Sequence, residues 1–304
     1  MKILVTGSSG LVGSALVPAL VEAGHTVCRL VRPGTIKKDT ANDGFQVAWN
    51  PATGDLGGAA VGADAVVNLA GASIADRRWS AARKAELHAS RIDTTRALVA
   101  ALAKMNARPR VLVSASATGV YGNRGDELLT EESQPGNDFL SNLAKNWEAE
   151  ALKAEAIGIR VVLARFGIVL ARHGGALPPM MLLFRFFAGG KIGSGQQWMS
   201  WIWLGDVIEI LRFALESGQV RGPINVISPQ PVSNAEFTKA LASAMHRPAL
   251  FPAPAFALRL ALGEMADALL LSSQRVLPIK LESLGYRFLQ SDLKSALGTI
   301  LGGS

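Results

Sequence analysis

The first thirty residues alternate between the hydrophobic pattern of a strand and that of a helix. A short apolar run from Ile3 to Val5 leads into a glycine-rich turn, after which apolar residues recur at helical spacing. Gly24 stands where a glycine commonly ends a helix, and a second apolar run, Thr26–Val31, follows at once. The pattern therefore predicts a β-α-β unit. The apolar stripe of its helix consists of Val12, Ala15, Leu16, Ala19, Leu20 and Ala23.

The same alternation continues to about residue 170. Further strands are predicted at residues 47–49, 65–69, 110–114 and 160–166, and long helices at residues 81–105 and 139–155. Strands that alternate with helices favour parallel pairing through right-handed crossovers. We therefore predict an α/β protein with a Rossmann-like doubly wound parallel sheet.

Beyond residue 170 the pattern changes to loops rich in glycine and proline and, after Pro254, to apolar helices. The run from Met180 to Phe187 is so apolar that we expect it to form a lid or an interface. We predict a doubly wound domain at residues 1–170, whose sheet is completed by segments near 200–230. A smaller C-terminal lobe is predicted at residues 171–304.

Composition narrows the class of protein. The chain has 304 residues, of which 49% are hydrophobic and 18% charged, so it can bury a large core without staples. The single cysteine, Cys28, excludes an internal disulfide and indicates a reducing compartment. Without a recognisable targeting signal or a membrane-length apolar run, we expect a cytoplasmic protein with no membrane partner. The four histidines lack metal-ligand spacing, so we expect no metal.

The charge balance points to an anionic partner. Lysine and arginine number 31 against 24 acidic residues, which gives a net charge of +7. No dense basic block or recognition motif accompanies this excess, so a nucleic acid is not the expected partner. The excess calls for a more local explanation.

The glycine-rich turn offers a local binding site for an anionic partner. In TGSSGLVG, Gly7 would make the tight turn, Gly10 would let the backbone approach a pyrophosphate, and Gly13 would let the helix pack on the sheet. The phosphates would meet the free N–H groups at the start of the helix. The strand and helix context favours a dinucleotide site over an incidental glycine-rich turn. The predicted binding residues of the turn are Gly7, Ser9, Gly10, Leu11, Val12 and Gly13.

The end of the second predicted strand indicates which dinucleotide binds. An acidic residue there would accept hydrogen bonds from the ribose 2′-hydroxyl, but the sequence offers CRLVRPG and no carboxylate until Asp39. Arg32, and with it Arg29, provides guanidinium groups that suit a 2′-phosphate. The alternative is that both arginines only solvate the end of the strand. We predict NADP(H) as the cofactor.

Three motifs together resemble the extended short-chain dehydrogenase/reductase superfamily. They are TGSSGLVG, VNLAG and SASATGVYG. The C-terminal stretch is similar to the helical domain of unknown function that occurs in the nucleotide-sugar epimerase-like branch of this superfamily. The resemblance implies that Leu69, Ala70 and Gly71 line the cofactor. It also implies that Lys84 or Arg91 contacts a phosphate, with a solvated helix face as the alternative.

The chain departs from the superfamily at its catalytic pair. The family's Tyr-x-x-x-Lys falls in FLSNLAKNWEAEA, which contains no tyrosine; if Lys145 is the lysine, the tyrosine position is Ser141. Tyr121, Ser116 and Thr118 follow the fifth major strand and are the candidate substitutes. A packing role is the alternative for Tyr121.

Two functions remain open at this point. One is an NADP(H)-dependent oxidoreductase or epimerase with a small-molecule substrate, either a carbonyl compound or a nucleotide-linked sugar. The other is a catalytically silent NADP(H)-binding redox sensor or regulatory protein. The superfamily resemblance implies a monomer or a homodimer.

Overall fold

Seven parallel strands form the central sheet of the computed structural model, which describes residues 1–36, 44–54 and 56–302. Their order across the sheet is β11-β7-β5-β4-β1-β2-β3. The strands are β1 (Lys2–Thr6), β2 (Thr26–Val31), β3 (Phe45–Ala48), β4 (Ala65–Asn68), β5 (Val111–Ala117), β7 (Arg160–Phe166) and β11 (Gly222–Val226). The sheet confirms the predicted Rossmann-like α/β fold class. The seventh strand, β11, belongs to the part of the chain that follows residue 170.

Helices cover both faces of the sheet. The α-helices of the described residues, in the sheet domain and in the C-terminal part, are α1 (Leu11–Glu22), α2 (Ala81–His88), α3 (Thr94–Ala103), α4 (Phe139–Leu152), α5 (Leu177–Arg185), α6 (Leu204–Glu216), α7 (Asn234–Ala244), α8 (Ala255–Leu262), α9 (Ile279–Ser283) and α10 (Leu293–Gly302). The helix predicted at residues 81–105 is instead α2 and α3, joined by one π-helical turn at Ala89–Asp93. Among the described residues, no helix combines the length and the hydropathy needed to cross a bilayer.

The two-residue alternation of the strands builds two apolar layers. Ile3 and Val5 point into a layer shared with α1 and α6, whereas Leu4 points into the opposite layer with α3. Side chains of β4, β5 and β7 divide in the same way. Strands buried on both faces read as continuous apolar runs, which is why they stand out in the sequence.

Short strands form three pairs outside the central sheet, two of which join the C-terminal part to residues 1–170. They are β6 (Leu128–Leu129), β8 (Ile168–Leu170), β9 (Trp198–Met199), β10 (Trp201–Trp203), β12 (Val232–Ser233) and β13 (Arg275–Val276). They pair as β6 with β13, β8 with β10 and β9 with β12. Leu281 of α9 lies in the same apolar layer as Ile3. The C-terminal segment therefore completes the core of the sheet domain.

Asp206 fixes the C-terminal segment to α6. This carboxylate is fully buried in the first turn of α6, where it accepts the backbone N–H of Leu289 at 2.7 Å and that of Gln290 at 2.9 Å. The Tyr286 hydroxyl lies 3.4 Å from it, and the Tyr286 ring packs on Phe213. The carboxylate also lies at the positive end of the helix dipole. One side chain thus joins two parts of the chain eighty residues apart.

We expect Asp206→Ala to lower the free energy of unfolding by about 2–4 kcal/mol, because two buried N–H groups lose a charged acceptor. Glu209→Ala is the matched control: Glu209 lies on the same helix and pairs with Arg212 at 3.0 Å near the surface. That change is expected to cost less than about 0.5 kcal/mol. Urea unfolding followed by circular dichroism measures both. Equal losses for the two variants would contradict the role given to Asp206.

Candidate functional site

The candidate site lies at the carboxyl edge of the central strands, beginning at the turn after β1. Gly7 has a φ of +67°, and a Cβ there would lie 2.5 Å from the carbonyl carbon of Leu69. A Cβ on Gly13 would lie 2.7 Å from the Cα of Ser8. Only glycine fits this close approach of strand, turn and helix. The two outer glycines of the motif thus have the spatial tasks that the sequence suggested.

The start of α1 is open to an anion. Gly10 occupies the N-cap position, no side chain caps the helix there, and its first turn holds no carboxylate. Ser9 and Gly10 are exposed, while Leu11 and Val12 are half-buried. The first N–H groups of a helix need an outside partner, and the helix dipole favours a negative one. These residues suit a pyrophosphate.

The second strand brings arginines toward the same edge. Arg29 lies on β2 in register with Val5, and Arg32 follows the last residue of β2 and is exposed. β2 is the direct neighbour of β1, so Arg32 lies on the side of the turn where a ribose would extend. Asp39 lies outside the described residues. Arg32 therefore suits a 2′-phosphate in position as well as in charge.

A buried polar network holds the edge together beneath the turn. Asn68, at the end of β4, accepts the Thr6 hydroxyl at 2.7 Å and donates to the Thr95 hydroxyl at 2.9 Å. Its amide also donates to Ser114 at 3.2 Å, and the Trp147 indole N–H donates to Thr95 at 2.9 Å. Every member has a partner, so the network adds rigidity without an unsatisfied group. It links β1, β4, β5, α3 and α4.

Arg91 lies beside the segment that follows β4. Its Nη2 donates to the carbonyl of Ala72 at 2.9 Å, and its guanidinium carbon lies 5.3 Å from the centre of the Trp147 ring. A Cβ on Gly71 would lie 3.1 Å from that carbon. Burial, and then the charge of Arg83, lowers the pKa of Arg91 to about 10. It still carries its charge at neutral pH, in surroundings that favour an anion nearby.

Lys84 faces the C-terminal lobe. Its Nζ lies 2.5 Å from Glu264 and 4.7 Å from the centre of the Phe139 ring. The contact joins α2 to the segment after α8. The predicted phosphate contact of Lys84 remains a prediction, and in this structure the lysine already has an acidic partner.

Tyr121 is fully buried in the turn after β5. Its hydroxyl donates to Asn225 Oδ1 at 2.7 Å and accepts from Arg165 Nη1 at 2.9 Å. Burial raises the pKa of Tyr121 above its usual value, although Arg165 acts to lower it. A group so placed keeps its proton at neutral pH and cannot meet a ligand. The geometry favours the packing role over the acid/base role.

Ser116 and Arg165 share a carboxylate. The two residues are register partners on β5 and β7, the Ser116 hydroxyl donates to Glu148 Oε1 at 2.6 Å, and Arg165 Nε lies 2.8 Å from the same oxygen. Arg165 Nη2 donates to Glu148 Oε2 at 2.8 Å, which makes the pair bidentate. Although burial acts to lower the pKa of Arg165, its bonds to Glu148 raise it overall. The charges compensate each other in the core.

The residue at the tyrosine position of Tyr-x-x-x-Lys, Ser141, is shielded from solvent. Ser141 is fully buried and its hydroxyl donates to the carbonyl of Gly119 at 3.1 Å and to Asp138 at 2.9 Å. Lys145 is half-buried one turn further along α4. Thr118 is nearly buried at the start of the turn that holds Tyr121. Of the predicted hydroxyl groups, the structure brings Ser116 and Tyr121 into one network through Arg165.

Sequence reasoning missed Asn68, Glu148 and Arg165. Arg165 interrupts an otherwise apolar strand, and Glu148 lies on the buried side of α4, so each carried the signal of a charge in a core pattern. Asn68 carried a similar signal at the end of an apolar run. None of these signals identifies its partner without the fold. Among the described residues, no group of three possible ligand side chains could hold a metal ion.

The doubly wound sheet and its glycine turn together define the class. A parallel sheet with this turn after its first strand is a Rossmann-type nucleotide-binding fold. The Tyr-x-x-x-Lys pair that the superfamily resemblance implies is absent from α4, which contains no tyrosine.

The chain belongs to the NAD dependent epimerase/dehydratase family, whose model matches residues 3–226. A domain of unknown function, DUF1731, matches residues 253–300. The epimerase family protein Mb2239 of Mycobacterium bovis is 44% identical over 297 residues, which cover 97% of this chain and 96% of that protein. These matches confirm the resemblance seen in the sequence.

Solved structures agree with the family assignment. The human epimerase family protein SDR39U1 (isoform 2), crystallised with NADPH, is 33% identical, with a TM-score of 0.89 and coverage of 100% of both chains. A nucleoside-diphosphate sugar epimerase from Corynebacterium glutamicum is 37% identical, with a TM-score of 0.79. That match covers 99% of this chain and 58% of the other.

We expect Tyr121→Phe to lower the free energy of unfolding by about 1–3 kcal/mol, because Asn225 and Arg165 each lose a buried partner. The affinity for a dinucleotide should not change. Denaturant unfolding and a calorimetric titration measure the two quantities. Tyr286→Phe is the control, since that hydroxyl makes only long contacts, both of 3.4 Å, to Asp206. A normal free energy of unfolding in Tyr121→Phe would contradict the packing role.

Proposed function

We propose that the protein binds NADP(H) at the turn after β1 and acts as an oxidoreductase or epimerase on a small carbonyl compound or nucleotide-linked sugar. The observation that carries the proposal is the uncapped start of α1 beside three glycines, with an exposed arginine after the neighbouring strand. The NADPH in the human relative supports the choice of cofactor.

The chain offers a chemically suitable binding group for each part of the cofactor. The N–H groups at the start of α1 would hold the pyrophosphate, and Arg32 would hold the 2′-phosphate. Leu69 and Ala70 are half-buried and Gly71 is exposed, so this segment would offer the cofactor a surface without a side chain at Gly71. Arg91 beside Gly71 lacks a carboxylate partner among its described contacts, so an anionic ligand would suit it. The residues present therefore fit the dinucleotide.

The chemistry divides between cofactor and chain. When bound, NADP(H) supplies a hydride donor or acceptor. Ser116 holds a proton on Oγ in a hydrogen bond to Glu148, and Arg165 balances the charge of that carboxylate. We assign Ser116 and Thr118 to substrate contact, which requires a local opening because both are buried. Tyr121 is assigned to positioning Arg165.

The role of Arg32 can be tested through the difference between two cofactors. Arg32→Ala is expected to weaken NADPH binding about 10- to 100-fold, because a charge-assisted contact to the 2′-phosphate is lost. NADH, which lacks that phosphate, should bind the variant as it binds the wild type. Calorimetric titration measures both, with the exposed Arg287→Ala as control. Equal weakening of NADPH and NADH, or tighter wild-type binding of NADH, would refute the assignment.

A second function, a silent NADP(H) sensor, is favoured by one observation. The hydroxyls of Tyr121, Ser116 and Ser141 all have partners inside the protein and are shielded from solvent. A site without an accessible acid or base can hold a dinucleotide yet lack the proton transfer that accompanies carbonyl reduction.

Absorbance at 340 nm separates the two functions. The protein with NADPH bound is mixed with a panel of aldehydes and ketones, and the protein with NADP⁺ bound is mixed with nucleotide sugars, because epimerisation begins with oxidation of the sugar. We expect substrate-dependent loss of absorbance that Ser116→Ala reduces at least tenfold. The sensor would be favoured over the enzyme if NADPH binds but its absorbance falls with no compound of the panel, and if chromatography shows no interconversion of the sugars.

A further inference from the structure

Large apolar side chains protrude from one region of the C-terminal lobe. They belong to two segments: one contains the end of α5, and the other runs from residue 250 into α8. Their exposed fractions run from 51% to 80%, so they stand out from the surface rather than line a groove. We call this set the apolar surface; it consists of Leu182, Leu183, Phe186, Phe187, Leu250, Phe251, Phe256 and Leu260.

Contacts hold the two segments side by side. The Phe251 N–H donates to the carbonyl of Gly189 at 3.2 Å, and the Ala253 N–H donates to that of Lys191 at 2.9 Å. The Arg247 guanidinium carbon lies 5.2 Å from the centre of the Phe187 ring. α8 has no buried residue, and its Phe256 and Leu260 are one turn apart on one face. An apolar set of this size on a surface indicates a binding role.

The two stretches of sequence that form the apolar surface carry charges of one sign. The sequence contains no Asp or Glu between Glu155 and Asp206, and none between Glu236 and Glu264. These two stretches contain the whole apolar surface. In or next to its two segments, Arg185, Lys191 and Arg247 are exposed. Arg259 of α8 pairs with Asp267 at 2.9 Å, so its charge is balanced.

The backbone of Phe187 has a left-handed conformation that bulky residues rarely adopt. Its φ is +58°, and it lies two residues after the end of α5. Its N–H donates to the carbonyl of Phe184, and the next N–H donates to that of Leu183. Glycine is the preferred residue at this position of such a helix end, and a bulky residue there is strained. An exposed ring at a strained position adds little to folding, which points to a role outside the fold.

We propose that the apolar surface docks the lobe onto the surface of an anionic phospholipid membrane. Protruding Phe and Leu side chains enter the boundary between headgroups and acyl chains, while Arg185, Lys191 and Arg247 meet the lipid phosphates. A second copy of the chain is a poorer partner, because a two-fold contact would bring the same cations together. The proposal replaces the expectation of no membrane partner drawn from the sequence.

Vesicle flotation tests the proposal. The full chain is mixed with vesicles of phosphatidylcholine and 30% phosphatidylglycerol, or with phosphatidylcholine alone, at low and high salt. We expect binding to the anionic vesicles that weakens in high salt and is at least tenfold weaker on neutral ones. Replacing Arg185 and Lys191 by Gln should weaken binding about 25-fold, at about fivefold for each cation.

Phe187→Gly separates docking from folding. It removes a ring from the apolar surface and relieves the positive φ, so vesicle binding should fall about fivefold or more while the melting temperature stays the same or rises. Val61→Ser is the matched control, because Val61 is 72% exposed far from this surface. A lower melting temperature with normal vesicle binding would make Phe187 structural and overturn its docking role.

Two results would overturn the proposal as a whole. One is no flotation, or equal flotation with neutral and anionic vesicles. The other is a stable dimer in sedimentation equilibrium that Phe187→Gly dissociates, without vesicle binding by either form; the apolar surface would then be an interface between copies. Absence of vesicle binding in a monomeric chain would point instead to a protein partner.

Discussion

The close approach of three backbone segments at the first turn is the constraint on which the site depends. Gly7 touches the end of β4, and Gly13 touches the turn itself, so strand, turn and helix meet with no side chain between them. This contact fixes the direction of α1 relative to the sheet. Because the helix start is uncapped, the same packing aims its N–H groups at the edge of the sheet. Folding and the proposed phosphate recognition thus share one geometric requirement.

Two buried networks make that edge rigid. Asn68 satisfies partners on β1, β5 and α3, and Glu148 satisfies partners on β5 and β7. Buried polar groups cost free energy unless paired, and here each group has a partner. Hydrogen bonds inside the protein thus occupy the hydroxyls of Ser116 and Tyr121, which are otherwise the groups able to move a proton. A stable scaffold and an accessible acid/base group compete for the same residues in this family member.

The fold and the cofactor half of the site could be predicted from local patterns. Strands buried on both faces give apolar runs, and the glycines mark a turn whose demands are local. The buried polar network that is proposed to contact substrate could not be predicted in this way. Ser116, Glu148 and Arg165 are far apart in the sequence, and only β5-β7 pairing and the packing of α4 bring them together. The break at Ala89–Asp93 in the helix predicted at residues 81–105 likewise has no clear periodic signal.

The sequence alone determined the alternation of strands and helices, the glycine turn and the missing tyrosine, because each depends on residues close together in the chain. Tertiary structure decided that Tyr121 is buried against Asn225 and that Lys84 meets Glu264. It also decided which apolar residues lie in the core: Phe184 is buried while Phe186 is exposed two residues later. Burial depends on what packs against a residue, and distant segments supply that packing.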